Sequence, residues 1–478
     1  MDAQSRIERA RIKAFYKLLV DRLGKDGKDA WAERQAAYEA RIREKESKFD
    51  IRLPVEPQLF TPPEDDIDWY ILASHLAFDS PLSDSAYSSR RVYTYAMAIG
   101  AVAEELRNVP NVNPVLDKML ANKSKPETQL FELLTAAFYL KNGYEVSFIP
   151  ENSLTWPDGK KKSPDLLVKL DDEQMYVECK RSNKQTKYSQ SEEAAWAEIW
   201  AKLSHHMLRA APWSTVDLTF HSQVAEASAE EVIQITNLAL KANGQKVRAG
   251  AITGQVSAID KKRLKLHYRA NSVRPNSPQQ ELLVFGDVDS NEKRSIATVA
   301  KRVIWPGTQN NVLNMFIHDV AKCVGAQWRC DHEVSLDSRS KHFKSLVNDG
   351  VKQIPPDLPG VVHVLYETRD GIDVEQLRRD KNMFNISDYD ASETTVLGVL
   401  VHAVNYYPFE DSYEVAETVE YFSRVPDLLS LFRRQRLMIS CGGTNEVEDV
   451  THWEQDRAAK SQKSRELMDN PLWERVDE

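Results

Sequence analysis

The stretch from Ser163 to Arg181 constrains the fold of this chain more than any other. It reads as a β-hairpin, with strands at Asp165–Leu170 and Met175–Lys180 and a polar turn at Asp171–Gln174. Folded about its centre, it sets Leu170 opposite Met175, Val168 opposite Val177 and Leu166 opposite Cys179. Side chains alternate along a strand, so these six share one apolar face. The other face then carries Asp165, Glu178 and Lys180, with Asp165 across from Lys180 and Glu178 one pair along. Diagonal neighbours of this kind lie about 7–8 Å apart at the backbone. Two carboxylates leaning together from such positions can hold one divalent cation, with an ammonium beside it.

The flanking sequence supplies a helix, a strand, a second helix and a further strand. Glu127–Asn142 is helical, with Pro126 suited to its first turn and Gly143 to its stop. Leu130, Phe131, Leu133, Leu134, Ala137, Phe138 and Leu140 make it apolar nearly all round, so it should be buried. Glu132 lies inside that run, where a carboxylate is costly unless paired or bound to a metal. Glu127 is a second acidic candidate at the helix start, where its simpler role is to complement the helix dipole. The segment Tyr144–Ile149 alternates as a strand. Beyond the hairpin, Trp196, Ile199, Trp200, Leu203 and Met207 form the core stripe of a helix, and Ser214–Phe220 is again a strand.

Pro164-Asp165, twelve intervening residues and Glu178-Cys179-Lys180 resemble the motif of the PD-(D/E)xK nuclease superfamily. The order of elements over roughly residues 125–222 suits its core. The resemblance implies an α/β fold: a restriction-endonuclease-like mixed β-sheet core flanked by helices. It implies Asp165 and Glu178 as ligands of Mg²⁺ (or Mn²⁺), with the backbone carbonyl of Cys179 as a further ligand. It casts Lys180 as the group that orients the attacking water, and Glu132 as a third acidic residue binding the metal's water shell or a second metal.

At 478 residues the chain is long for one core. Residues 1–120 are expected to be a helical N-terminal region that includes a proline-rich arm at 53–66, and residues 121–225 the nuclease core. Residues 226–290 read as a β-rich insertion or a small DNA-facing module, with strands at Ala249–Ile259, Arg263–Tyr268 and Glu281–Val288. Its Arg263, Lys265, Arg269 and Arg274 read first as a solvated face. Residues 291–478 read as an α/β C-terminal region that could extend the core sheet. There, Lys293–Cys323 is helical, Gly360–Tyr366, Thr395–Val404 and Leu437–Ser440 are strands, and the last 28 residues are a charged tail.

The net charge of −9 speaks against a generally basic nucleic-acid coat protein, but a local basic groove suffices for a nuclease. Lys160–Lys187 holds eight Lys or Arg against five Asp or Glu. Four cysteines suit a reducing cytoplasm rather than a disulfide framework. No apolar run is long enough to span a membrane, and the N-terminus lacks the apolar core of a signal peptide. Cys323, Cys330 and His332 do not match the usual zinc-ligand spacings. The expectation is a cytoplasmic, Mg²⁺-dependent deoxyribonuclease, by family analogy acting in defence against foreign DNA. RNA is the lesser substrate, and a homo-oligomer or a partner subunit is open. The alternative is a non-cutting nucleic-acid-binding or scaffold subunit on a nuclease-like fold.

Overall fold

The computed structural model describes residues 3–469, apart from 25–28, 49, 51, 57–65, 80–85, 122–125, 157–158, 160, 183–184, 272, 305–315, 388–392, 409–412, 440–445 and 448. Most of the proline-rich arm, Lys160 and the final residues 470–478 therefore lie outside the described residues. The chain opens with helices α1 (Ala3–Leu23), α2 (Asp29–Ser47), α3 (Ile67–Asp79), α4 (Ala86–Gly100), α5 (Ala103–Arg107) and α6 (Val112–Ala121), as the N-terminal pattern predicts. Next come α7 (Glu127–Lys141), β1 (Glu145–Phe148), β2 (Leu166–Leu170), β3 (Glu173–Arg181), α8 (Lys187–Ala210) and β4 (Ser214–Phe220).

The region after β4 holds α9 (Ala229–Lys241), β5 (Val247–Ala249), β6 (Ile252–Ala258), α10 (Lys261–Ala270) and α11 (Pro278–Phe285). Two strands expected here are helices. In 263–268 the apolar residues at every second position imitate a strand, but Asp260 caps the segment by accepting Arg263 N–H, and Leu264 and Tyr268 bury one helical face. In 281–288 the boundary signals prevail: Ser277 caps, Pro278 opens the first turn, and Gly286 closes in the left-handed conformation at φ +86°. The expected helix over 293–323 is instead two long strands, β7 (Lys293–Ile304) and β8 (Phe316–Cys330), paired antiparallel.

The remaining elements are α12 (Glu333–Arg339), α13 (Lys344–Val351), β9 (Gly360–Glu367), α14 (Ile372–Ser387), β10 (Val396–Pro408), β11 (Tyr413–Ser423) and α15 (His452–Asp469). The short strand expected at 437–440 is a turn over its described part, and much of the expected charged tail is α15.

Among the described residues the strands form two mixed sheets, one of six strands ordered β1-β2-β3-β9-β10-β11 and one of five ordered β5-β6-β4-β8-β7. The fold is thus mixed α/β, with helices flanking both sheets. β4, expected to complete the core around the hairpin, belongs to the second sheet instead. It pairs with β6 and β8, burying Val216, Leu218 and Phe220. The neighbour of β3 is β9, in parallel register, with Glu178 beside Val362 and Lys180 beside Val364. The hairpin sheet is therefore built from residues 145–181 and 360–423, so it crosses the expected boundary at 225, and the C-terminal strands extend it.

Helix α7 packs on one face of the six-stranded sheet, through a core that includes Phe131, Leu134 and Phe138 against Val168, Val177 and Cys179. α13 and α14 cover the other face, where Val347, Val351 and Ile386 meet Val362, Val364 and Tyr176. On the second sheet, α8 and α9 bury Trp200, Leu203, Val232 and Ile235 against one face. α10 and α11 lie on the other, through Leu264, Tyr268 and Val284. No helix among the described residues is long and apolar enough to cross a membrane.

Candidate active site

The hairpin forms with a tighter turn than its polar residues suggest. Asp171 takes the left-handed conformation (φ +53°), and Glu173 and Gln174 join the return strand. The register is consequently shifted by two residues. Leu166 pairs with Val177, Val168 with Met175 and Leu170 with Glu173. A shift of two leaves every side chain on its expected face, but it takes Leu170 out of the apolar set. It also moves Asp165 one step past the Leu166–Val177 pair, towards Glu178 rather than Lys180.

Asp165 sits just beyond the end of β2. Its Oδ2 accepts the backbone N–H of Cys179 at 2.7 Å, and its carbonyl accepts Ile149 N–H at 3.0 Å. Glu178 is buried at 1% exposure. Its Oε1 lies 2.5 Å from Lys180 Nζ, while its Oε2 is buried and meets no hydrogen-bond donor among the described residues. Gln353, in the loop after α13, completes the group. With its amide nitrogen turned to Glu178 and its oxygen to Lys180, it donates to Oε1 at 3.2 Å and accepts from Nζ at 2.7 Å.

The electrostatics are those of crowded acids. Burial, reinforced by Asp165, raises Glu178 well above the ordinary carboxylate range, although Lys180 opposes the shift. Burial also raises Asp165, against the pull of the Cys179 N–H and of Lys180. Glu132, half-buried on α7, is pushed up to about 8 by burial and then by the Asp165 charge, with Lys118 on α6 drawing it down. Burial lowers Lys180, but Glu178 and Asp165 outweigh it, so its ammonium is held above its usual pKa. The three predicted acids and the lysine thus share one electrostatic neighbourhood. Lys118, which is ion-paired to Glu151, and Gln353 belong to it as well. Neither carries a local sequence signal, since both arrive from outside the hairpin.

Arg181, next to Lys180, turns to the opposite face. There it pairs with Glu127 and, at 2.9 Å, with Glu367, while Arg91 meets the same two glutamates. Glu127 is therefore part of a buried ion network rather than a simple helix-dipole partner. Cys323 and Cys330 are buried and unbridged. Seven residues apart on β8, they face opposite sides of the sheet and cannot share a metal.

Among the described residues no three His, Cys, Asp or Glu side chains form a ready-made metal cage. A hard divalent ion such as Mg²⁺ needs only one or two carboxylates, since it keeps several waters. The donor set fits such an ion: among the described residues Glu178 Oε2 has no hydrogen-bond donor, and Asp165 gives one oxygen to the Cys179 N–H. A buried carboxylate oxygen without a donor is costly unless something positive meets it. Compared with protein-family models, with curated proteins and with solved structures, the chain finds no match.

Proposed function

We propose that this chain is a metal-dependent nuclease with a restriction-endonuclease-like core that hydrolyses phosphodiester bonds of DNA in the cytoplasm, in defence against foreign DNA. The observation that carries the reading is the buried Glu178 Oε2, without a hydrogen-bond donor among the described residues, beside Asp165 and Lys180. Asp165 and Glu178 would hold the cation, with the Cys179 carbonyl and Glu132 completing its surroundings. Bound there, a divalent ion polarises a phosphate and lowers the pKa of water.

The chain's own groups divide the remaining work. Lys180 is held in its charged form, so it suits stabilisation of developing negative charge and orientation of a water rather than proton abstraction. Gln353 fixes the ammonium by accepting from it, so that Lys180 is aimed before substrate arrives. Glu132, pushed up by burial and then by the Asp165 charge, would face the cation's water shell.

The test is cleavage of supercoiled plasmid, linear duplex, single-stranded DNA and RNA with Mg²⁺, Mn²⁺ or chelator, comparing wild type with Asp165→Asn and Lys180→Ala. Metal-dependent cutting of DNA that both substitutions abolish is the expected result. Absence of both cutting and Asp165-dependent Mn²⁺ binding would sink the proposal.

A further inference from the structure

Charge is segregated along this chain. Residues 241–274 hold nine Lys or Arg and one acidic residue, a net +8 inside a protein whose total is −9. Five of the nine are concentrated on α10, which contains Lys261, Lys262, Arg263, Lys265 and Arg269 and no acid. The helix is anchored from below, where Leu264 and Tyr268 are buried against the second sheet. Lys261, Lys262, Arg263 and Arg269 are exposed. Among the described residues none of Lys261, Lys262, Arg263 and Lys265 forms an ion pair, and Arg269 has only Asp319, at 3.8 Å. An ordinary solvated helix face mixes signs; this one does not.

Register places further polar groups on the same side of the sheet. Cys323 packs in the core beneath α10. Alternation along β8 sets Gln327 and Arg329 on the side of Cys323, and their partners across the sheet are Asp217 and Thr219 on β4 and Gln255 and Thr253 on β6. Arg248, opposite Thr253, shares that side. The face that carries α10 is thus polar beyond the helices. Arg329 is neutralised there by Asp217 at 2.6 Å, and among the described residues the basic groups without a close ion pair are Arg248 and those of α10.

We propose that α10 and the sheet face beside it bind the sugar-phosphate backbone of double-stranded DNA, independently of sequence. The proposal rests on the nuclease reading above, for which it supplies a substrate-holding surface outside the Asp165 site. A ten-residue helix is about 15 Å long, which spans roughly four phosphates of one strand. The occupant follows from what the face lacks. Single-stranded nucleic acid is held by exposed stacking aromatics, but Trp213, the aromatic beside α10, is half-buried with Lys261 Nζ at 5.6 Å and Lys265 Nζ at 5.3 Å from its ring. Insertion into a membrane surface needs a broad apolar face, whereas Leu266, at 57%, is the one large apolar side chain of α10 that is exposed. Spaced cations on a rigid helix suit a stiff polyanion.

The test uses the full chain in chelator, so that no cutting occurs, and reads the anisotropy of a short labelled DNA duplex across a salt series. The variant is Lys262→Glu/Arg263→Glu/Arg269→Glu, with the corresponding triple Gln variant as a milder control and circular dichroism to check folding. The expected result is at least tenfold weaker duplex binding, and a slope of log affinity against log salt that is smaller by about 2–3. Two duplexes of unrelated sequence should behave alike. Duplex affinity within twofold of wild type in both variants would overturn the proposal. So would a loss confined to single-stranded RNA or to phosphatidylserine vesicles. The two readings fail separately. Salt-sensitive duplex binding that Asp165→Asn leaves intact supports this surface even if the protein cuts nothing, and cutting that survives charge reversal with unchanged binding refutes it while sparing the site.

Discussion

Asp165 Oδ2 accepts the backbone N–H of Cys179 at 2.7 Å, the residue that separates Glu178 from Lys180. One strand therefore holds both side chains of the motif's second half and, through its backbone, the acid of the first half. Asparagine can still accept that bond. Asp165→Asn should leave the thermal midpoint unchanged or higher, because a carboxylate that burial penalises is removed. Cleavage should drop by at least ~100-fold, the scale of losing one key electrostatic group. Mn²⁺ should raise the wild-type midpoint by binding the folded state and have no effect on the variant; differential scanning fluorimetry with and without Mn²⁺ reads both.

Gly350 brings α13 against the strands that carry the site. A Cβ there would stand 2.7 Å from Val362 Cγ1 and 3.4 Å from Lys180 Cγ. Gly350→Ala should therefore cost about 1–3 kcal/mol by overpacking, measured by urea unfolding. It should also lower cleavage at temperatures where the protein remains folded, because the overlap falls on Val362, the strand partner of Glu178.

His452 is buried between two hydroxyls, Thr368 Oγ1 at 2.9 Å and Thr418 Oγ1 at 2.8 Å. Burial lowers its pKa from 6.5 to about 3. The unfolded chain binds the proton more readily, so this residue's contribution is present above about pH 6.5 and is lost as pH falls towards 3, at up to about 1.4 kcal/mol per pH unit. Urea unfolding between pH 7 and pH 5 should show that slope in wild type and a shallower one in His452→Gln.

The network of Arg91, Arg181, Glu127 and Glu367 is almost wholly removed from water. Arg181→Met leaves Glu127 and Glu367 sharing Arg91, with the half-buried Arg369 on Glu367 at 2.7 Å, and should cost about 3–5 kcal/mol. Because Arg181 points away from the Glu178 face, Mn²⁺ affinity measured by calorimetry below the unfolding transition should stay within about threefold of wild type (~0.65 kcal/mol).

What the sequence made legible was local. The hairpin, α7 and the stripe on α8 follow from periods of two and of 3.6, set by nearest neighbours along the chain. The faces of Asp165, Glu178 and Lys180 survived a wrong register because the error was two residues. What failed was the choice of partner. Nothing in Ser214–Phe220 says that it pairs with β8 rather than joining β3, since any strand with an apolar face can lie in either sheet. In 263–268 the alternation of Leu264, Leu266 and Tyr268 competes with the cap at Asp260, and Leu266 is simply exposed. Gln353 was invisible for a third reason: it reaches Lys180 from a loop more than 170 positions downstream, which no spacing rule can anticipate.

The pairing of β3 with β9 has a consequence for how the molecule is made. Between Arg181 and Gly360 the chain lays down the whole second sheet. Synthesis at about 5–20 residues per second takes on the order of 10–35 seconds to cross that interval. Until then the strand bearing Glu178 and Lys180 has one unpaired edge on the nascent chain, and Gln353, which aims the lysine, emerges only at its end. The cluster of Asp165, Glu178, Lys180 and Gln353 is thus assembled late in translation, after the basic helix and the sheet beneath it have left the ribosome.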